Sequence, residues 1–298
     1  MNSEKILVVL GPTTSGKSDL AVSIAKKFNG EVISADSRQV YKGLDIGTGK
    51  ITKLEMKGIA HHLLDVASPK IRFSVSDFKL LADQKIKEIL LRGKIPIICG
   101  GTGFYIDAVV KNLVLPEVPP NLALRKKYEK WSCEKLFKIL MKFDSKRAKD
   151  IDPYNKVRLI RAIEIAKTLG KVPKVKSKPQ YSVLQLGILW DKEKLNKRIE
   201  KRLISRIKDG MIEEAKVLHQ KGLSWKRMEE LGLEYRYLAT YLQKQISKEE
   251  ITQKLNTEIR HYAKRQLTWF KRDKTIVWLK PTELKKSEKL ISDFLKTD

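Results

Sequence analysis

A glycine-rich run that ends in lysine and serine carries the strongest chemical signal. Residues 11–18 read GPTTSGKS, which matches the phosphate-binding pattern G-x-x-x-x-G-K-[ST]. In such a loop backbone N–H groups turn toward phosphate oxygens, and the start of the following helix adds partial positive charge. The predicted diphosphate or nucleotide ligands are Gly11, Pro12, Thr13, Thr14, Ser15, Gly16, Lys17 and Ser18. Lys17 would contact the terminal phosphates, and the Ser18 hydroxyl would bind Mg²⁺.

A carboxylate follows the next apolar run. Residues 31–35 (EVISA) predict a strand, and Asp36 comes directly after it. Asp36 could act on Mg²⁺ through bound water, could be a general base, or could only cap a turn. The sequence shows no clear apolar strand ending in Asp late in the chain, as many nucleotide hydrolases have. This difference favours the general base.

A second glycine-rich run, Gly100-Gly101-Thr102-Gly103, follows a predicted strand at 95–99 (IPIIC). It is either a tight turn only, or a backbone and hydroxyl surface that touches a leaving phosphate or a nucleophile. The carboxyl ends of parallel strands lie at one edge of a sheet, where ligands bind. We therefore expect this run, residues 11–18 and Asp36 to form one active site.

Two stretches of the second half could contact a polyanion. Arg158 and Arg161 lie three residues apart on a predicted helix, 156–167, and so share a face. They would suit phosphodiester contacts, or they form a solvated surface pair in which Glu164 neutralises Arg161. Residues 261–272 (HYAKRQLTWFKR) offer a further phosphate track, while their Trp and Phe are expected in the core.

The charge surplus lies mainly in the second half. Lys and Arg number 62 against 35 acidic residues, which gives a net charge of +27. Residues 1–120 carry 17 basic and 12 acidic side chains, and residues 121–298 carry 45 and 23. Lysine-rich surfaces can arise without a partner, but they usually carry matching glutamates. A polyanion that binds outside the phosphate-binding loop explains the surplus better.

Composition excludes several classes of protein. Hydrophobic residues make up 42% of the chain, which supports a core and argues against disorder. No apolar run of 18 residues exists, so we expect no membrane span. Cys99 and Cys133 form no metal pattern and are expected to be reduced thiols. No signal peptide is recognisable, and we expect a cytoplasmic monomer.

Strands alternating with helices predict an α/β fold, a P-loop nucleoside-triphosphate-hydrolase-like parallel sheet flanked by helices. Proline-rich segments near residues 116–120 and 173–179 delimit an all-helical insertion. The predicted organisation is therefore an α/β core at 1–115 and 179–298 with basic C-terminal helices, and an insertion at 116–178. Predicted strands are 6–10, 31–35, 95–99, 183–190 and 275–279. Predicted helices are 18–28, one capped by Ser74 or Ser76 and reaching about 92, 104–110, 192–208, 211–221, 233–243, 247–270 and a terminal helix.

Nearly the whole chain resembles the tRNA dimethylallyltransferase family, also called tRNA isopentenyltransferases. The most specific likenesses are the D-S-x-x-Y-x-G-x-D-I-G-T block and the A-K-R-Q-x-T-W run. The segments that carry the resemblance are GPTTSGKS at 11–18, ADSRQVYKGLDIGTGK at 35–50, HHLLDV at 61–66, FSVSDF at 73–78, IPIICGGTGFYIDAVV at 95–110, RLIRAIEI at 158–165 and AKRQLTWFKR at 263–272.

The resemblance implies a reaction and roles for residues. A dimethylallyl group moves from its diphosphate to the exocyclic N6 amine of adenosine 37, beside the anticodon of a tRNA, and the base is flipped to reach the site. Asp36 would accept the proton, Thr102 would help seat the reactants, and Lys17 with Mg²⁺ would neutralise the departing diphosphate. The anticodon stem-loop would be contacted by Asp36, Ser37, Arg38, Gln39, Thr102, Val157, Arg158, Leu159, Ile160, Arg161, Lys264 and Arg265.

Two departures from the family pattern and three rival functions remain open at this point. Val157 stands where the family often has a polar residue, and either Arg227 or Arg236 could contact the diphosphate; we assign Arg227. An ATP-dependent kinase fits the loop but not the basic second half. An adenylate isopentenyltransferase acting on free nucleotides would not need that half. An RNA-binding protein with a vestigial loop conflicts with the intact Lys17 and Ser18.

Overall fold

The chain divides into two compact units in a computed structural model that describes residues 4–283 and 285–297. One unit comprises the residues up to 112 together with those from 179 onward, and the other comprises residues 113–178. The first boundary falls at residue 112, where the sequence analysis placed it at 115.

The larger unit contains a parallel sheet with the strand order β3-β2-β4-β1-β7-β8. All of its strand pairs run parallel. The smaller unit contains an antiparallel pair of short strands, β5 and β6. The strands are β1 Lys5–Leu10, β2 Gly30–Ala35, β3 His61–His62, β4 Ile95–Gly100, β5 Leu113–Val114, β6 Lys176–Ser177, β7 Ser182–Ile188 and β8 Val277–Leu279.

Helices cover the sheet and form the rest of both units. A 3-10 turn, Pro281–Glu283, precedes the last helix. The helices are α1 Lys17–Lys27, α2 Lys53–Met56, α3 Val75–Leu91, α4 Gly103–Val110, α5 Leu122–Glu129, α6 Cys133–Phe143, α7 Ser145–Asp150, α8 Lys156–Leu169, α9 Lys192–Lys208, α10 Met211–Gln220, α11 Trp225–Leu231, α12 Leu233–Leu242, α13 Lys248–Phe270 and α14 Lys286–Lys296. Each helix in the described part of the chain is too short or too polar to cross a membrane.

The central strands are continuous apolar runs because helices cover both faces of the sheet. On one face, α3 and α4 pack Phe78, Ile86 and Ile106 against β1, β2 and β4. On the other face, α1 and α14 contribute Leu20 and Ile291 to a second core. The predicted α/β fold with a parallel sheet flanked by helices is therefore confirmed.

The sheet register places three loops at one level. Leu10, the last residue of β1, pairs with Gly100 of β4, and Gly100 also pairs with Ala35, the last residue of β2. Gly100 thus belongs to the strand, although the sequence placed it in the turn. The phosphate-binding loop, Asp36 and Gly101 consequently leave the sheet side by side at its C-terminal edge.

The smaller unit is a helical cluster around a buried ion pair. Glu164 of α8 accepts two hydrogen bonds of 2.7 Å from Arg125 and lies 3.3 Å from Arg161. Burial opposes ionisation of Glu164, but the hydrogen bonds from Arg125 and the Asn121 N–H outweigh it and lower the pKa. Arg161 does pair with Glu164, but the glutamate is buried and Arg125 is its main partner, so the expected solvated surface pair is wrong.

Some short elements were not predicted from the sequence patterns. Helix α11 was not predicted; its seven residues begin after Ser224, whose hydroxyl accepts a hydrogen bond from the Arg227 N–H. Strand β7 ends at Ile188, although the apolar run continues to Trp190. Periodicity identifies long elements more readily than elements of one or two turns.

Candidate active site

A cavity of about 370 Å³ opens at the C-terminal edge of the parallel sheet. Several segments predicted to act together do meet there: Lys17, Ser18 and Asp36 all line it. The remaining predicted residues in its wall are Thr13, Ser37, Arg38, Gln39 and Arg265. Arg236, the alternative to Arg227 for the diphosphate contact, also lines the cavity. So do residues to which the sequence assigned no individual role: Arg202, Glu234, Tyr237, Glu258, Tyr262 and Gln266.

The phosphate-binding loop adopts the conformation that its glycines allow. Gly16 has φ 88°, a left-handed value that glycine adopts without strain, and α1 begins at the next residue. Two side chains from elsewhere brace the loop: Trp190 donates to Ser15 O at 2.8 Å, and Arg198 donates to Thr14 O at 3.0 Å. The loop is therefore held open as a preformed anion site at a helix N-terminus.

Lys17 faces the cavity without a side-chain counter-ion in direct contact among the described residues. Its Nζ donates to the Pro12 carbonyl at 3.3 Å. Burial lowers the pKa of Lys17, while the nearby Cys99 and Asp36 act in the opposite direction. An anion bound in the loop would favour the charged form of the Lys17 ammonium group and so oppose the effect of its burial.

Asp36 both caps a turn and lines the cavity. Its Oδ1 accepts hydrogen bonds from the N–H groups of Arg38 at 2.8 Å and Gln39 at 3.3 Å. The intervening Ser37 N–H donates to Thr102 Oγ1 at 3.0 Å. The turn therefore orients the carboxylate, and Thr102 fixes the loop that carries it.

The glycines at 101 and 103 leave room for side chains of another helix. A side chain at position 101 would collide with the amide of Gln266, and one at position 103 would collide with the Trp269 ring. Both colliding residues come from α13, whose Trp269 also donates to Asp107 Oδ2 at 3.0 Å. The tight turn thus lets a distant helix approach the edge of the sheet.

The cationic side chains of the cavity differ from the sequence-based assignment. Arg227 does not line it; its guanidinium donates to the Pro69 and Ile71 carbonyls and to Tyr41 Oη, and it pairs with Glu230. Arg202 and Arg236 line the cavity instead. Arg202 donates to Gly49 O at 3.0 Å, and burial followed by the charge of Arg206 lowers its pKa.

The D-I-G-T block forms a loop clamped by one carboxylate. Glu214 of α10 accepts hydrogen bonds of 2.7–2.9 Å from the N–H groups of residues 45, 46 and 47. Tyr235 donates to the same carboxylate at 2.6 Å and leaves no room for a side chain at Gly47. Arg202 contacts the end of this loop by donating a hydrogen bond to the Gly49 carbonyl.

The predicted RNA contacts of α8 are only partly accessible. Val157 and Arg158 are exposed, but Leu159 and Ile160 are buried in the core of the smaller unit. The side chains of Leu159 and Ile160 therefore cannot contact RNA, because the inner face of an amphipathic helix packs on its own core. Lys264 and Arg265 of α13 are exposed, and Arg265 reaches the cavity wall.

The donor set for a metal consists of oxygens. Ser18 supplies a hydroxyl and Asp36 a carboxylate in the cavity wall. Within residues 4–283 and 285–297, no cluster of three or more His, Cys, Asp or Glu residues could hold a metal ion. Mg²⁺ is commonly held by one or two protein oxygens together with substrate phosphates and waters, and this donor set fits that mode.

Comparison with known proteins gives consistent similarities. The model of the IPP transferase family matches residues 39–273, and an isopentenyl transferase model matches residues 4–72. The chain is 41% identical over 285 residues to tRNA dimethylallyltransferase 1 of Syntrophus aciditrophicus, with 93% of each chain covered. It is 40% identical over 298 residues to tRNA dimethylallyltransferase of Anoxybacillus flavithermus, with 98% of this chain and 95% of the relative covered.

Two solved structures of transferases with such names are also similar to this chain. The full-length tRNA isopentenylpyrophosphate transferase from Bacillus halodurans superposes with a TM-score of 0.75 and 35% identity, covering 99% of this chain and 97% of that one. A eukaryotic dimethylallyltransferase acting on tRNA gives a TM-score of 0.84 and 28% identity, covering 98% and 80%.

Proposed function

The chain belongs to the IPP transferase family, and from this premise we propose that it prenylates tRNA. It transfers a dimethylallyl group from dimethylallyl diphosphate to the exocyclic N6 amine of adenosine 37, beside the anticodon, and releases diphosphate. The observation that carries the proposal is one cavity in which Lys17 and Ser18 of the phosphate-binding loop lie in the same wall as Asp36.

The phosphate-binding loop holds the leaving group. Charge grows on the diphosphate as its bond to the allylic carbon breaks, and preorganised cations stabilise that charge most. Lys17 and Arg202, two cations in the wall of the cavity, supply two of these positive charges. Bound Mg²⁺ would supply further neutralisation, held by the Ser18 hydroxyl together with diphosphate oxygens.

Asp36 receives the proton of the attacking amine. Its carboxylate is fixed by the N–H groups of Arg38 and Gln39, so one orientation is kept without reorganisation during the reaction. The nitrogen lone pair forms the new bond to the allylic carbon, and the electrons of the breaking carbon–oxygen bond leave with the diphosphate. Thr102 acts one step away, by holding the Ser37 N–H.

The basic surfaces bind the anticodon stem-loop. Residues 113–178 carry 18 basic and 7 acidic side chains, an excess that no small acceptor requires. Exposed Arg158 in that unit and exposed Lys264 on α13 provide phosphate contacts. A kinase or an adenylate isopentenyltransferase would leave this charge unexplained.

The proposal is tested by following the prenyl group. Purified protein is incubated with Mg²⁺, an unmodified anticodon stem-loop and dimethylallyl diphosphate labelled in its prenyl carbons. We expect the label in the RNA, and no label when the target adenosine is replaced by a purine nucleoside that lacks the exocyclic amine. Labelling of both RNAs, or of neither, contradicts the proposed acceptor.

A further inference from the structure

Gln266 is a buried amide in the middle of a basic, exposed stretch of α13. Its neighbours Lys264 and Arg265 are exposed, whereas its own side chain is 6% exposed. The amide makes two hydrogen bonds with backbone groups of distant loops. Oε1 accepts from the Thr13 N–H at 2.8 Å, and Nε2 donates to Gly101 O at 2.9 Å. Both ends of the amide are thus matched, the oxygen to a donor and the nitrogen to an acceptor.

The two partners of Gln266 lie on opposite sides of the proposed chemistry. Thr13 belongs to the phosphate-binding loop, the side of the leaving diphosphate. Gly101 precedes Thr102, whose Oγ1 accepts from the Ser37 N–H, and whose N–H donates to Ala35 O at 3.2 Å. Ala35 and Ser37 flank Asp36. Hydrogen bonds and the Gly101–Thr102 peptide bond therefore connect the phosphate-binding loop through Gln266 to the backbone on either side of Asp36.

The packing around Gln266 accommodates the hydrogen-bonded bridge that its amide forms between the two loops. A side chain at position 101 would displace the Gln266 amide, so the glycine there leaves room for this bridge. Loss of the amide would leave the Thr13 N–H and the Gly101 carbonyl without these hydrogen-bond partners. Unsatisfied buried backbone groups are costly, and the two loops would shift to find other partners.

We propose that Gln266 is a positioning residue that sets the distance between the phosphate-binding loop and the loop carrying Asp36. This inference rests on the proposed prenyl transfer and adds a residue-level requirement to it. Transfer between two bound substrates depends on reacting atoms held about 3–3.5 Å apart, so a displacement of either loop slows the step while leaving each binding surface intact.

The test is Gln266→Met, which keeps the length of the side chain and removes both hydrogen bonds. We expect kcat to fall about 10- to 100-fold, while the KM for dimethylallyl diphosphate and the Kd for RNA change by less than about 3-fold. The matched control is Gln185→Met: Gln185 is also 6% exposed and donates to Asp273 and Thr275, away from the cavity. We expect normal kcat from the control, with both variants compared by thermal unfolding.

A second variant keeps the test decisive if Gln266→Met does not fold. Gln266→Asn retains the amide but is one methylene too short to reach Thr13 and Gly101 together, so kcat should again fall by about 10-fold or more. Wild-type kcat in a folded Gln266 variant, or a loss confined to KM, overturns the positioning role. Absence of prenyl transfer by the wild-type protein would instead refute the proposed function on which the role rests.

Discussion

Strand β2 carries a carboxylate near each end, and their surroundings are opposite. At the N-terminal end, Glu31 is contacted by Arg92 at 2.6 Å, by Lys94 at 2.9 Å and by His62 at 2.7 Å. Beyond the C-terminal end, Asp36 accepts hydrogen bonds from two backbone N–H groups at one oxygen and faces the cavity. One carboxylate is enclosed by cations, and the other is oriented but left accessible to a ligand.

The difference separates a charge that stabilises the fold from one that is proposed to act in the reaction. Burial opposes ionisation of Glu31, but the hydrogen bonds from Arg92, Lys94 and His62 outweigh it and lower the pKa to about 2. The Glu31 carboxylate therefore links β2 to β3 and to the segment after α3. Among the described residues no cation hydrogen-bonds to the Asp36 carboxylate, which agrees with its proposed role as the proton acceptor. Parallel sheets place ligands at the C-terminal ends of strands, and the two acids follow that rule.

The variant Asp36→Asn is the strongest test of the different roles given to the two acids. The amide oxygen of asparagine can still accept from the Arg38 and Gln39 N–H groups, so the loop should be kept while the base is lost. We expect kcat for prenyl transfer to fall about 10²- to 10⁴-fold with little change in RNA affinity or melting temperature. Turnover near that of the wild type would remove Asp36 from the chemistry.

The reciprocal change, Glu31→Gln, should affect stability and spare activity. It leaves three positively charged or polar groups without their carboxylate, and we expect the free energy of unfolding to fall by about 2–3 kcal/mol. Denaturant titration measures the loss, and kcat per folded molecule should match the wild type. A loss of turnover with unchanged stability would reverse the assignment of the two acids.

The pH dependence of stability follows from the same glutamate. The pKa of Glu31 is lower in the folded protein than its ordinary value of 4.5, so its stabilisation is present above that value. The contribution is lost as the pH falls from about 4.5 toward 2. The difference in unfolding free energy between wild type and Glu31→Gln should therefore shrink over this interval, as seen in denaturant titrations at several pH values. A difference independent of pH would contradict the account of Glu31.

Two arginines extend the comparison with a smaller expected effect. Arg236 lines the cavity, whereas Arg227 is occupied by Pro69, Ile71 and Glu230. We expect Arg236→Met to raise the KM for dimethylallyl diphosphate about 10-fold, in keeping with one charged contact. Arg227→Met should lower the melting temperature and leave that KM unchanged. The opposite pattern would return the diphosphate contact to Arg227.

The sequence predicted those parts of the site that depend on local pattern. Residues 11–18, Asp36 and Thr102 each follow a buried strand, so motif and periodicity together placed them at one edge of the sheet. The family resemblance is likewise confirmed by matches over most of the chain. These signals need only the residues next to one another in sequence.

What the sequence missed depends on long-range packing. Arg202 contacts Gly49, 153 residues earlier, and Gln266 contacts Gly101, 165 residues earlier, and no sequence motif identifies contacts over such separations. The sequence analysis assigned residues 157–161 to RNA contact as one stretch. In the structure, Leu159 and Ile160 lie on the buried face of α8, whereas Val157 and Arg158 are exposed. Arg227 was chosen from its neighbours in the chain, although the direction of its side chain is set by residues 69–71.

The most direct test of the central claim is a competition in a single reaction. Protein, Mg²⁺ and an unmodified anticodon stem-loop are mixed with equal concentrations of dimethylallyl diphosphate and ATP. Mass spectrometry quantifies the RNA nucleosides, and the released diphosphate and the remaining ATP are measured in the same reaction. The account predicts one diphosphate released for each N6-dimethylallyladenosine formed, with ATP intact. Consumption of ATP with no prenylated adenosine would contradict it.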